Sequence, residues 1–330
     1  MEPVSIKQIN QHGKFFGGIL ELESKLYELV IAPTHNYESV IDKNNLEKYF
    51  SPKSILHDPP TNTETPYQVE VPLHHDGSCV AKCHFCGYGG KKATFYSKSE
   101  TIISLFEKGI DIALNYGLVK NKKSLKLGLL KGGDLSLNKN LETLLYSLSE
   151  KFLENKIKIS SIAAKKYGFF ESMLNFKKKS SQQKISLQIS LNSTCDYERE
   201  RIVNGNGPNK IKLYCLDEIN NFANEWKEVY GRKLTLTSTL EDKTIFDTNV
   251  IKEKFDPDNV ILKLRKVNPI SNEIKSISKK KYTETYFKLV NLGYTVIIGN
   301  PTYSELTYKL TPRGILEKNK QWGNEKQKRF

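Results

Sequence analysis

The sequence predicts an α/β fold: a partial (β/α)6 TIM-type barrel with a short N-terminal segment and a polar C-terminal tail. Two observations predict it. From Tyr67 onward, strand-length apolar runs alternate with amphipathic helical stretches. Repeated β-then-α units require a parallel sheet with its helices outside. Six main units are legible, fewer than the eight of a closed barrel.

The elements follow in order. Residues 1–65 read as a short, irregular N-terminal segment that ends in the turn-rich linker HDPPTNTETP. The barrel is assigned to residues 66–300 and a charged C-terminal extension to 301–330. YQVEV at 67–71 is the first strand of the barrel, and a cysteine-rich loop follows it directly. Residues 97–117 carry apolar side chains at helical spacing, with a Ser start and a Gly stop. LKLGLL at 125–130 is the next strand; a KGGD loop and a helix over 140–155 come after it. Strands are expected at 157–164, 185–192, 233–240 and 260–269, and helices from about Asp196 and over 215–231. A last helix-and-strand unit covers 280–300.

The formal charge is +14, carried by 45 Lys and only 6 Arg against 37 acidic residues. Readers of nucleic-acid grooves and phosphates lean on Arg for bidentate contacts. The basic runs at 120–126, 177–179 and 279–281 are scattered, which reads as solvated surface and leaves RNA as the alternative partner. No 18-residue apolar run is present, so no membrane span is expected. The start lacks a basic-then-apolar secretory pattern, so a cytoplasmic location is expected.

Three of the five cysteines, Cys79, Cys83 and Cys86, fall within eight residues at spacing C-x3-C-x2-C. In a reducing compartment such a group points to metal binding or chemistry and not to disulfides. Thiolates are soft ligands that select zinc or iron–sulfur clusters. A closed zinc site wants four ligands, often as two C-x2-C pairs. The other cysteines, Cys195 and Cys215, form no second pair; His84 offers a Cys3His zinc set only from a position adjacent to Cys83. Three thiolates on one loop suit three irons of a [4Fe–4S] cube and leave the fourth iron open.

With the segment CVAKCHFCGYG placed after a first strand, the chain resembles the radical S-adenosylmethionine (SAM) superfamily. The resemblance implies a [4Fe–4S] cluster on Cys79, Cys83 and Cys86, with SAM chelating the open iron. It also implies a 5′-deoxyadenosyl radical that abstracts a substrate hydrogen, and a reduced flavodoxin or ferredoxin as electron donor. Gly132, Gly133 and Asp134 are similar to the family's Gly-Gly-Glu motif, which binds the SAM amino group. Asp in place of Glu shortens that reach by one methylene. Ser160 or Ser161, at a strand end, is a candidate for the SAM carboxylate or ribose. ISLQISLNSTCDYERERIV at 185–203 resembles the adenine-C2 rRNA methyltransferase branch. There Ser190, Leu191, Asn192, Asp196 and Arg199 match the branch's pattern, implying SAM contacts from Ser190 and Asn192. Asn268, in RKVNPI, resembles the same branch's Asn-Pro contact to SAM.

The chain departs from that branch where methyl transfer happens. The branch has one cysteine seven residues before the triplet and another near the C-terminus. Here Pro72 holds the first position, and no cysteine follows Cys215. The SAM scaffold carries over; the methyl relay does not. The expected substrate is a small molecule or peptide, with RNA base modification as the alternative and a zinc-stabilised binding module as the alternative from another class. Cys195, three residues past Asn192, is a candidate to supply a hydrogen atom or touch substrate, although a lone Cys is more often buried as a small apolar residue. Cys215 at a helix start reads as structural. His74 and His75 read as solvent-facing, with proton donation as the alternative, and Tyr88 as a neighbour of the adenine.

Overall fold

The computed structural model describes residues 3–12, 15–34, 66–75, 79–86, 88, 96–180, 185–205, 210–267 and 273–299. It is a mixed α/β fold built on one ten-stranded sheet, whose strands lie side by side in chain order. The first three strands, β1 (Ser5–His12), β2 (Phe15–Leu22) and β3 (Lys25–Pro33), form an antiparallel meander that continues antiparallel onto β4 (Tyr67–Pro72). This corrects the expectation of an irregular N-terminal segment. Its strands alternate weakly in sequence, and their pairing with one another and, through β3, with β4 reveals them.

From β4 the sheet is parallel through β5 (Leu125–Lys131), β6 (Lys156–Ser161), β7 (Ile185–Ser190), β8 (Leu234–Leu240), β9 (Val260–Lys266) and β10 (Val296–Ile298). That makes seven parallel strands, one more than the six main units counted in the sequence. The crossovers carry α1 (Ser99–Asn115), α2 (Leu141–Lys151), α3 (Phe169–Lys179), α4 (Asp196–Asn204), α5 (Leu216–Glu228), α6 (Thr248–Lys254) and α7 (Lys279–Asn291). Helices α3 and α6 went unread in the sequence; one begins after a Gly in the left-handed region and the other has only seven residues.

A strand's side chains alternate between faces. On β4 to β9 one set is almost wholly apolar and packs under the helices in a single core. Helix α1 approaches this face so closely that a Cβ on Gly109 would lie 2.5 Å from a Val69 methyl. Each fully buried Leu, Ile or Phe of that core contributes roughly 1.5–3 kcal/mol. The other face of the same strands is mixed, with Lys, Arg, Ser, Gln, Thr and Glu70 beside Leu130 and Ile261. No described helix is long and apolar enough to cross a membrane. The proposed extension at 301–330 and most of the linker lie outside the described residues.

Candidate functional site: a thiol pocket at the strand ends

The carboxyl ends of the parallel strands gather most of the residues singled out above. The cysteine loop leaves β4 and reaches across this end of the sheet. Lys82 N–H donates to Val203 O (2.8 Å) and His84 N–H to Ile202 O (3.2 Å), so the loop is sewn to the last turn of α4. The His84 imidazole pairs with Glu241, just beyond β8. Inside the loop, Cys86 N–H donates to Cys83 O (2.8 Å). Anchors from after β7 and after β8 therefore hold a loop that starts at β4.

Cys79 is buried, and Cys83 and Cys86 pack against the same small apolar cluster, which includes Ala81, Tyr88, Ile162 and Leu213. None of the five cysteines is in a disulfide. Burial, then the charge of Asp134, pushes the Cys79 thiol up to about 12; N–H groups of Ala81 and Gly133 oppose this. Cys83 is pushed well up by burial, then by Cys86 and Cys79. The three thiols thus share one low-dielectric pocket, in which Cys79 and Cys83 resist ionising. Bound metal removes that penalty, because a coordinating thiol is deprotonated outright. This donor set fits an iron–sulfur cluster: soft, unbridged, mutually close and shielded by apolar side chains. Among the described residues, no three His, Cys, Asp or Glu side chains are set around a single metal ion.

The Gly-Gly-Asp turn after β5 lies beside the thiols. Gly132 (φ +59°) and Gly133 (φ +127°) are both in the left-handed region. A Cβ on Gly133 would fall 2.7 Å from the His74 ring and 2.9 Å from Leu73 Cβ. The bare side of Gly133 therefore faces the first loop's own side chains. The Asp134 carboxylate is buried and accepts four hydrogen bonds. Oδ1 takes Ser136 N–H (3.0 Å), Ser136 Oγ–H (2.6 Å) and Ser161 Oγ–H (2.7 Å); Oδ2 takes Ile162 N–H (2.7 Å). Burial raises its pKa, and those donors oppose the rise. Asp134 thereby ties the end of β5 to the end of β6. Ser161 makes this tie, while Ser160 lies on the opposite, half-buried face, level with Gln188.

The segment after β7 is knitted into the fold. Ser190 lies half-buried on the polar face, level with Thr237. Leu191 is buried in the core. Asn192 adopts φ +61°, a region Asn tolerates better than most residues, and its Oδ1 accepts Thr239 N–H (3.2 Å). Arg199 is fully buried and donates to Leu191 O (3.1 Å), Tyr214 O (2.7 Å) and Asp196 (2.8 Å). Cys195 is half-buried at the start of α4, and its N–H donates to Ser193 Oγ (3.0 Å). Cys215 caps α5 in a reciprocal arrangement with Glu218. Asn268 lies outside the described residues.

Two expectations change. His74 is 1% exposed and stacks against the Tyr96 ring at 4.1 Å, so it is not solvent-facing. Tyr88 is buried, and its hydroxyl donates to Glu28 on β3. That carboxylate belongs to a buried group the sequence reading missed. Lys131 Nζ lies 4.0 Å from Glu28 and 3.9 Å from Glu70, and the Gln68 amide donates to Glu70. The signal was a single acid inside each of two apolar strands, YELV and QVEV.

No family model matches the chain, and no curated protein is significantly similar to it. Its fold is similar to a solved structure, a radical SAM methyltransferase from Sphaerobacter thermophilus. The TM-score is 0.62 at 13% identity, over 92% of this chain and 79% of the other. At that identity the likeness concerns the fold.

Proposed function

We propose that this chain is a radical SAM enzyme. One observation carries the reading: three thiols at C-x3-C-x2-C, none in a disulfide, share one apolar pocket at the carboxyl ends of a sequentially ordered parallel sheet. The fold it shares with a radical SAM methyltransferase supports the same reading. In this proposal Cys79, Cys83 and Cys86 hold three irons of a [4Fe–4S] cluster, and the sheet is a partial barrel whose polar face receives the substrate. When bound, the cluster and SAM supply a one-electron cleavage that yields a 5′-deoxyadenosyl radical, which takes a substrate hydrogen.

The chain's own residues position these groups and keep water away. Lys82, His84 and Glu241 fix the cysteine loop over the strand ends. Gly133 turns its N–H toward Cys79. Ser190, on the polar face, is the best-placed SAM contact of those suggested by the resemblance, because its neighbours Leu191 and Asn192 are engaged within the fold. A reduced flavodoxin or ferredoxin is the proposed electron donor. The two-cysteine methyl relay of the adenine-C2 branch is not carried over. Only Cys195 and Cys215 stand outside the triplet, and Cys215 is engaged in a helix cap.

Anaerobic reconstitution with iron and sulfide tests the proposal. A brown protein with about four irons per chain is expected. With SAM and dithionite it should release 5′-deoxyadenosine. A colourless protein that instead retains zinc overturns the reading.

A further inference from the structure

The cysteine loop has an outer side that the thiol pocket does not use. Burial alternates along its first stretch. Cys79 and Ala81 are buried in the apolar cluster that Cys83 and Cys86 join, while Val80 is 42% exposed and Lys82 is exposed. Consecutive Cα atoms lie about 3.8 Å apart. Val80 and Lys82 therefore stand one residue from Cys79 and Cys83, on the solvent side.

The last turn of α4 and the segment beyond it complete this surface. Lys82 N–H donates to Val203 O (2.8 Å), and a Cβ on Gly205 would lie 3.7 Å from Lys82 Cβ. Arg201 is exposed in that turn. Tyr197, four residues back on the same helix face, is 79% exposed. Lys210 and Lys212 are exposed alongside, where Ile211 N–H donates to Asn204 Oδ1 (2.6 Å). Two of these cations have acidic partners: Lys212 pairs with Glu200 (3.2 Å) and Arg201 with the buried Glu198 (3.4 Å). Asp196, at the other end of α4, is taken up by Arg199. Among the described residues, Lys82 and Lys210 have no carboxylate partner. Four cations against two acids leave the surface net positive.

An exposed valine and tyrosine among cations suit a protein partner of opposite charge, steered by the field and held weakly. They suit a polynucleotide less well, because its binding rests on many phosphate contacts at once. We infer that this surface docks a small acidic one-electron carrier protein. The inference rests on the radical SAM reading and adds to it the carrier's landing site. One electron leaves the reduced carrier and enters the group that the three thiols hold; no covalent bond forms or breaks.

Carbodiimide cross-linking of the reconstituted protein to reduced flavodoxin reads the landing site, because the reagent joins lysine amines to carboxylates. Peptide mass mapping should place the cross-links at Lys82, Lys210 and Lys212, and not at the exposed Lys120 and Lys122 before β5, at the opposite end of the sheet. Cross-links concentrated elsewhere overturn the inference. Stopped-flow bleaching of the visible absorbance reads the rate. At low ionic strength Lys210→Glu/Lys212→Glu should accept electrons from flavodoxin at least about tenfold more slowly than wild type, a gap that closes at high salt. Its reduction by dithionite should match wild type, as should the flavodoxin rate of a Lys120→Glu/Lys122→Glu control. If the double variant does not hold its cluster, Arg201→Gln replaces it, with about a threefold slowing expected. Equal flavodoxin rates in wild type and variant overturn the inference. So does a ten-nucleotide oligoribonucleotide that binds through these lysines while flavodoxin yields no cross-link. A protein that takes up no cluster yet cross-links at these lysines sinks the radical SAM reading alone; a normal cluster that flavodoxin reduces equally in every variant sinks this inference alone.

Discussion

The loops after β4 and after β7 are the two most motif-like texts in the chain, and they behave in opposite ways. The first gathers three thiols into one apolar pocket, where burial disfavours the charge of Cys79 and Cys83. The second engages nearly all its polar groups internally. Asn192 satisfies Thr239, Arg199 satisfies two carbonyls and Asp196, and Ser193 satisfies Cys195. A loop at the carboxyl end of a parallel strand must turn sharply and satisfy its backbone before it can do anything else. Ser-Leu-Asn and Asp-x-x-Arg meet that need here. The difference teaches that a family-like motif can be engaged within the fold, and it makes the proposed ligand role of the first loop and the architectural role of the second separately testable.

The largest expected effect separates the two loops outright. Cys83→Ala should abolish iron retention and 5′-deoxyadenosine release while the apoprotein keeps its circular dichroism spectrum. The deletion removes only one sulfur from a small apolar cluster. Retention of four irons by this variant breaks the contrast from the ligand side. Arg199→Ala should do the reverse. It leaves buried carbonyls and removes a guanidinium with 1% exposure, which costs about 3 kcal/mol. Chemical denaturation should show the loss. An Arg199→Ala protein of unaltered stability that fails only to bind SAM would make the second loop a ligand site after all.

Asp134→Asn probes the turn between the two. An amide presents one acceptor where the carboxylate accepts four bonds, and its NH2 group meets donors. The expected cost is about 2 kcal/mol, since charge-assisted bonds are among the stronger ones. Affinity for SAM, measured at a temperature where the variant is folded, should change less than tenfold. A larger drop in affinity with little loss of stability would assign the carboxylate to the ligand.

These contrasts also mark how far the sequence was legible. The parallel strands were read within a few residues because their apolar alternation is a local signal. The cysteine triplet was legible because three thiols in eight residues have few physical explanations. The meander was not, because β1 to β3 pair with one another and join the sheet only through β3 on β4, which lies more than thirty residues after β3. Nor was the Glu28–Lys131–Glu70 group, assembled from three strands with a register shift opposite Lys131. His74 looked polar and exposed in sequence; the Gly133 backbone and the Tyr96 ring bury it. What a residue type can do was readable, and what its neighbours leave it free to do was not.

The smallest effect is the most discriminating, because two variants at one position divide it. Asn192 combines a left-handed backbone (φ +61°) with a side-chain bond to Thr239 N–H. Asn192→Gly keeps the backbone at ease and loses only the bond, which costs about 1 kcal/mol. Asn192→Ala loses the bond and also forces an L side chain into the left-handed region, adding roughly 1 kcal/mol. Thermal unfolding should therefore rank wild type above Gly and Gly above Ala. If the carboxamide touches SAM, as the resemblance implies, the two variants lose the same ligand contact and SAM affinity falls equally in both, whatever their stabilities. If Asn192 serves the turn alone, SAM affinity stays near the wild-type value in Gly and follows folding in Ala. A ranking by stability with unchanged affinity in Asn192→Gly assigns the residue to architecture; equal and large affinity losses return the second loop to the ligand and remove the contrast with the first.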